Sequence, residues 1–189
     1  MKLYGSTTSP YARRIRIFAH SIPLEFIAMD IFSDDDRNML IAKNPTLKIP
    51  FLVDDEQCIF DSRVIFRYLT QKFELTPISW PQENLLTLID SINDSLVSMF
   101  LLCRSDIDTD QDALFFNLQK QRIDKAMHSL EAHCKAGQFT DWHYPSICLY
   151  CLLDWISFRE LFDVSIFQSL SAFHQQHQQR EDVMTTDPR

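Results

Sequence analysis

The sequence lacks the positive charge that nucleic-acid-binding proteins carry. Its 189 residues include 18 lysines and arginines against 26 aspartates and glutamates, so the formal net charge at pH 7 is -8. A chain this acidic holds a phosphate backbone poorly, and we expect no nucleic acid partner. The one dense basic cluster, Arg13, Arg14 and Arg16, is typical of a solvated helix face.

Long apolar runs are also missing. No stretch approaches the roughly 20 apolar residues that a membrane helix needs, and the longest candidate, 144–153, ends at Asp154. The first residues have neither the basic start nor the apolar run of a signal peptide. We therefore expect a cytoplasmic protein without a membrane partner.

The cysteines and histidines show no metal-ligand spacing. Cys148 and Cys151 match C-x-x-C, but their apolar surroundings favour two buried thiols over a redox pair, and no second pair exists for zinc. Five cysteines is an odd number, which indicates reduced thiols. His174 and His177 are typical of a solvated helix end, so we expect no metal.

Strand and helix signals alternate in the first part of the chain. The order β-α-β-α-β-β-α predicts a thioredoxin-like domain over residues 1–75. The predicted strands are 2–5, 24–29, 51–54 and 57–60, and the predicted helices are 10–20, 34–42 and 62–73.

Only helix signals follow a proline-containing linker at 76–81. The pattern predicts an all-helical domain over 82–189, which makes the fold class α/β plus all-α. An apolar stripe runs along 85–100, with Asn93 on its predicted wet side. Further helices are predicted at 113–133, 146–162 and 166–177, and the tail from 178 is predicted to be irregular.

Three short segments carry candidate chemistry, although each also has an ordinary structural explanation. Ser9-Pro10 follows the first strand and is a natural helix cap, yet its hydroxyl would face an anion bound at the helix N-terminus. Ile49-Pro50 precedes a strand, where a cis bond would turn the backbone of Ile49 outward to pair with a peptide. Asp61-Ser62 opens a helix and could hold an ammonium and a carboxylate.

Together these segments resemble the glutathione S-transferase superfamily, in particular its small bacterial YibF-type subgroup. The matching pieces are 9–11, 44–50 and 60–63, and the resemblance extends to 152–159 and to the tail residues Arg180, Thr186 and Pro188. It departs from the family where Thr46-Leu47 replaces a frequent Leu-Gly. The family's capping box is absent at 143–146, and the chain has only two glycines.

The resemblance implies glutathione as co-substrate and a homodimeric enzyme. It assigns Ser9 to the glutathione thiolate as the catalytic residue. Ile49, beside cis-Pro50, would bind the cysteinyl backbone, and Asp61 and Ser62 would hold the γ-glutamyl end.

Because a serine cannot form a mixed disulfide, Ser9 predicts conjugation to an electrophilic small molecule rather than disulfide reduction. Two alternatives stay open. One is a non-catalytic binding or regulatory protein with the same fold. The other is a glutathione-dependent reductase or peroxidase, which would need a second glutathione or a nearby thiol such as Cys58, which we expect to be buried. The electrophile pocket could lie near Met99, Phe100 and Cys103, although these residues are equally suited to a core, which is the interpretation that we favour.

Overall fold

The computed structural model describes all residues from 1 to 189 and divides into two compact units. The first comprises Met1–Pro77 together with Gln178–Arg189, and the second comprises Ile78–His177. This division differs from the predicted domains, because the last twelve residues belong with the N-terminal unit rather than with the helical one.

The first unit is built on a four-stranded sheet with the order β2-β1-β3-β4. β1 pairs with β2 in parallel and with β3 antiparallel, and β3 pairs with β4 antiparallel. The thioredoxin-like βαβαββα prediction is confirmed. The elements are β1 (Lys2–Gly5), α1 (Pro10–Phe18), β2 (Glu25–Ala28), α2 (Asp34–Lys43), β3 (Phe51–Asp54), β4 (Gln57–Phe60) and α3 (Ser62–Lys72).

The tail joins this unit through α1. Arg13 and Arg14 are only 3% and 0% exposed, so the prediction of a solvated helix face is wrong for both. Arg13 donates to the carbonyl of Val183 over 3.2 Å and to Oγ1 of Thr186 over 3.3 Å. The tail is not irregular throughout, since α8 (Glu181–Met184) forms a short helix there.

The second unit contains four helices. They are α4 (Trp80–Cys103), α5 (Leu114–Lys135), α6 (Tyr144–Phe158) and α7 (Gln168–His177). α6 is the most buried of them, and Cys148 and Cys151 are buried free thiols on it, as predicted. Asn93 is fully buried instead of wet, and neither its amide nitrogen nor its oxygen has a hydrogen-bond partner.

The two histidines near the end of α7 are not solvated, contrary to the prediction. Nε2 of His174 lies 3.0 Å from Oδ1 of Asp154, and the ring of His177 packs at 4.5 Å from that of Trp142. No group of three or more metal-ligating side chains occurs in the structure. Both histidines therefore serve packing within the helical unit.

Helix α4 is long and apolar enough, by length and composition alone, to cross a membrane. The sequence pattern does not mark it as such a helix, because Asp90 and Asp94 interrupt its apolar residues. A core helix satisfies the same criterion, and the apolar stripe of α4 is buried inside the helical unit at Leu85, Leu86, Ile89, Ile92 and Leu96.

A histidine caps the central helix where the family's capping box is absent. Nδ1 of His143 accepts the backbone N–H of Ser146 over 3.2 Å, and Oγ of Ser146 bonds to the carbonyl of Asp141 over 2.6 Å. Burial lowers the pKa of His143, because the charged imidazolium loses its solvation there. The sequence pattern gave no signal of this cap, since histidine is not a preferred capping residue.

This cap makes the stability of the chain depend on pH. A lowered pKa in the folded state means that the contribution of His143 is complete above about 6.5, its ordinary value, and is lost as the pH falls through the folded pKa. We expect His143→Asn, which caps without titrating, to remove this part of the pH dependence. Urea unfolding of both proteins across this range measures it, and parallel curves would contradict the assignment.

Candidate functional site

The three candidate segments meet at one edge of the sheet. Tyr4 pairs with Phe51, and Phe51 pairs with Phe60, so the carboxyl ends of β1 and β4 flank the amino end of β3. Neighbouring strands lie about 4.8 Å apart. The loop after β1, the residue before β3 and the residue after β4 are therefore brought together by the pairing register.

Gly5 shows how closely the first two segments pack. A Cβ placed on Gly5 would lie 2.8 Å from Cβ of Ala12 and 3.7 Å from Cβ of Pro50. The first contact is shorter than real Cβ atoms adopt, so a side chain at this position would displace α1. One of the only two glycines in the chain thus permits α1 and Pro50 to approach the end of β1.

Ser9 caps α1 and still has a hydrogen to donate. Its Oγ accepts the backbone N–H of Ala12 over 3.2 Å, and Pro10 occupies the first turn. The side chain is half-buried, and its hydroxyl hydrogen has no acceptor within the protein. The capping and ligand-binding interpretations are therefore compatible, because they use different parts of the same hydroxyl.

The segment before β3 is held by a buried asparagine. Nδ2 of Asn44 donates to the carbonyl of Lys48 over 2.7 Å, while its Oδ1 accepts the N–H and the hydroxyl of Thr46. The bond from Ile49 to Pro50 is cis, as expected. No hydrogen bond within the protein engages the backbone N–H or C=O of Ile49. The positioning role of Asn44 was not predicted, because a polar residue shortly before a proline was its only signal in the sequence.

Asp61 and Ser62 begin α3 immediately after β4. Asp61 has a φ of 75°, and its Oδ1 accepts the backbone N–H of Arg63 over 2.8 Å. Its side chain is exposed, which leaves the second carboxylate oxygen open to a ligand, whereas Ser62 is buried at the first turn. The helix N-terminus adds partial positive charge at this position.

Cys58 does not have the environment of a reactive thiol. It is half-buried on β4, where we expected a buried residue, and desolvation raises the pKa of its thiol. A thiol that stays protonated at neutral pH is a poor nucleophile. This observation disfavours the reductase alternative that relies on Cys58.

Comparison with known proteins places the chain in a family. Residues 3–77 match the family model described as Glutathione S-transferase, N-terminal domain. The Uncharacterized GST-like protein YibF of Escherichia coli (strain K12) is 30% identical over 175 residues, which cover 85% of this chain and 84% of that protein. The chain belongs to the glutathione S-transferase superfamily.

Solved structures of this superfamily share the whole fold. A glutathione S-transferase from Methylobacillus flagellatus KT, with glutathione bound, covers 100% of this chain and 99% of its own with a TM-score of 0.87 at 21% identity. A glutathione transferase family member from Pseudomonas fluorescens Pf-5, with bound glutathione, covers 100% and 98% with a TM-score of 0.84 at 25% identity. The thioredoxin-like domain followed by a helical domain is thereby confirmed.

In this superfamily member, which has few glycines, other residues occupy backbone positions of the kind that glycine often takes. Six residues other than glycine adopt a positive φ, and three of them are aspartates, which tolerate that region better than most residues. They are Leu47, Asp55, Asp61, Glu74, Asp106 and Glu160.

Leu47, where the family often has glycine, is the residue least suited to this conformation, with a φ of 55°. We expect Leu47→Gly to stabilise the protein by about 1 kcal/mol. The left-handed conformation costs an L-residue roughly 1–2 kcal/mol, and the greater flexibility of glycine in the unfolded chain offsets part of this gain. Thermal unfolding of the two proteins measures the change. Leu47→Ala keeps the strain and serves as the control; equal melting temperatures for the glycine and alanine variants would contradict this account.

Proposed function

We propose that this protein is a glutathione transferase that binds glutathione and activates its thiol for attack on an electrophilic small molecule. The observation that supports it most is the meeting of Ser9, Ile49-Pro50 and Asp61-Ser62 at one sheet edge. These segments offer a hydroxyl donor, an unpaired backbone segment and a carboxylate beside a helix N-terminus. A γ-glutamyl tripeptide carries the complementary groups.

The binding roles follow from the groups that each segment presents. The N–H and C=O of Ile49 pair with the cysteinyl backbone of glutathione in the manner of an added strand. Asp61 receives the γ-glutamyl ammonium. Ser62, at the start of α3, holds the neighbouring carboxylate together with the backbone N–H groups of the first turn.

Ser9 promotes ionisation of the glutathione thiol. A thiol with a pKa of about 8.5 is ionised in roughly one molecule in thirty at neutral pH. A hydrogen bond from the Ser9 hydroxyl, together with the N-terminus of α1, stabilises the thiolate and raises that fraction. The thiol proton passes to solvent, and the sulfur lone pair forms a C–S bond as the electrophile expels its leaving group.

Binding is tested first by retention on glutathione-agarose and by thermal shift. We expect the protein to be retained, to elute with free glutathione and to melt a few degrees higher in millimolar glutathione, because a ligand that binds only the folded state stabilises it. Asp61→Asn should weaken both effects. A protein that flows through without a thermal shift would instead be a non-catalytic binding or regulatory member of the superfamily.

We further propose that the active form is a cytoplasmic homodimer. The five free cysteines, which suit a reducing compartment, support the location. Light scattering of the eluted protein should give twice the chain mass of 22.3 kDa. A monomeric mass in the presence of glutathione would contradict the dimer without bearing on glutathione binding.

A further inference from the structure

Met99, Phe100 and Cys103, near the end of α4, do not form a core as predicted. They line a cavity of about 570 Å³ in the helical unit, and Cys103 is exposed. Leu101 lies on the same turns but takes no part in this cavity, and it is exposed. The end of α4 therefore also presents an apolar side chain to solvent outside the cavity.

The hairpin that α4 and α5 form has further exposed apolar side chains at its tip. The tip consists of residues 101–118, which hold the end of α4, the connecting loop and the start of α5. Ile107 is exposed in the loop, and its N–H donates to the carbonyl of Leu102 over 3.0 Å. This hydrogen bond folds the loop back onto the end of α4, so Ile107 stays close to the helices.

Three exposed apolar residues share one face of α5. Leu114, Phe115 and Leu118 are one and four positions apart, which places them within about 100° of one another around the helix axis. Leu114 is 77% exposed, so no part of the chain covers it. The same face continues with Gln121 and Lys125, which are polar, and the uncovered apolar side chains are therefore confined to the tip.

The tip is also strongly acidic. Its loop has four exposed aspartates at alternate positions, which are Asp106, Asp108, Asp110 and Asp112. Arg104 is the only basic residue of the tip, so four negative charges against one positive give a net charge of -3. Only one of these carboxylates has a cation partner in the chain, that of Asp110, which pairs with Lys120 over 2.9 Å. The tip therefore combines uncovered apolar side chains with unpaired negative charge.

We propose that this tip binds an amphipathic helix of a partner protein. The apolar face of that helix covers Leu114, Phe115 and Leu118, and its lysines or arginines meet the aspartates of the loop. An amphipathic helix buries its apolar stripe on such a surface, and complementary charge speeds encounter and fixes orientation.

The charge of the tip disfavours two other occupants. An anionic lipid surface has the same sign as the loop. Contact between the tips of two copies of this chain would also bring like charges together, in a protein whose net charge is -8. The tip uses none of the residues assigned to glutathione, so this inference is independent of the proposed transferase activity.

Fluorescence anisotropy of a labelled peptide mixed with the full chain tests the chemistry of the partner. The probe is an amphipathic peptide of leucine and lysine, about 14 residues or roughly four helical turns long. The comparison peptides are one with glutamate in place of lysine and one of the same composition without an apolar face. We expect one lysine peptide per chain, bound at least tenfold more tightly than either comparison, with an affinity that falls as salt rises.

The apolar contact is tested by the double substitution Leu114→Ser and Phe115→Ser. We expect it to weaken binding of the lysine peptide at least tenfold, while circular dichroism shows a folded protein, because both residues are exposed. Phe32→Ser, at a position that is 70% exposed in the other unit, is the matched control and should leave the affinity unchanged.

The charge is tested by the double substitution Asp106→Asn and Asp108→Asn. Asparagine tolerates the positive φ of residue 106, and at 108 it keeps an Oδ1 that accepts the N–H of Asp110. We expect several-fold weaker binding and a smaller dependence on salt. Asp34→Asn with Asp35→Asn, which removes the same charge from exposed positions of α2, should change neither.

Light scattering and vesicle sedimentation identify the other occupants. A change from dimer to monomer in the Leu114→Ser and Phe115→Ser variant would assign the tip to a second copy of the chain. Sedimentation of the unaltered protein with phosphatidylserine vesicles, lost in that variant, would assign it to a membrane. Either result, equal affinities for the three peptides, or equal weakening by the control substitutions would overturn the proposal.

Discussion

Replacing Ser9 with alanine is expected to lower kcat/KM for glutathione conjugation about 10- to 150-fold at neutral pH. The substitution removes one hydrogen bond to a charged acceptor, worth roughly 1.5–3 kcal/mol. Because this hydrogen bond stabilises the thiolate, the pKa of the thiol of bound glutathione should rise towards that of the free thiol. Turnover of a chromogenic aryl chloride and the ultraviolet absorbance of the bound thiolate against pH measure the two effects.

Alanine also removes the N-cap of α1, in which Oγ of Ser9 accepts the N–H of Ala12. The effect of the substitution on stability must therefore be separated from its effect on catalysis. Ser9→Thr keeps both the hydroxyl and the cap and is expected to retain most of the activity. The alanine variant should lose about 1 kcal/mol of stability while remaining folded. An unchanged thiol pKa together with unchanged turnover in Ser9→Ala would remove this residue from the mechanism.

Replacing Arg13 with methionine should cost about 2–4 kcal/mol of stability. Methionine preserves most of the packing, but it removes the two hydrogen bonds that the guanidinium donates to Val183 and Thr186, and a hydrogen bond from a charged group is worth roughly 1.5–3 kcal/mol. Urea unfolding measures the loss. Arg37→Met, at a partly exposed position on α2, should change stability by less than about 0.5 kcal/mol.

A truncated chain identifies the origin of this loss. Removal of residues 178–189 also removes Val183 and Thr186, the two residues that accept hydrogen bonds from Arg13. The cost of Arg13→Met should therefore be much smaller in the truncated chain than in the full one, because the two changes remove the same contacts. Equal costs in both chains would show that Arg13 stabilises the unit through other contacts.

The order of the first seven elements could be predicted from local patterns. The strands at 2–5, 51–54 and 57–60 have the predicted bounds, since short apolar runs between turn residues leave little choice. Ser9-Pro10 marked the start of α1 for a similar reason: a capping hydroxyl followed by proline acts within one turn. The three candidate segments were also recognisable by composition alone, although their meeting at one edge depends on strand pairing.

The helical half shows where such patterns are insufficient. A polar side chain on a periodic helix is expected to face water, yet Asn93 is buried. His143 caps α6 because its ring reaches the N–H of Ser146, a geometry that residue preferences do not encode. Leu47 accepts a left-handed backbone in a turn, and the family's frequent glycine at this position was its only sign.

By itself the sequence determined the thioredoxin-like order of strands and helices, the helical second half and the residue types of the candidate site, because each depends on neighbours within a few positions. Only the tertiary structure decided which polar groups are buried and what they bind. Arg13 meets Thr186 across 173 positions, and buried Asp154 meets His174 across 20. Periodicity describes which face of a helix is apolar, whereas the partner of a buried charge is set by contacts between distant segments.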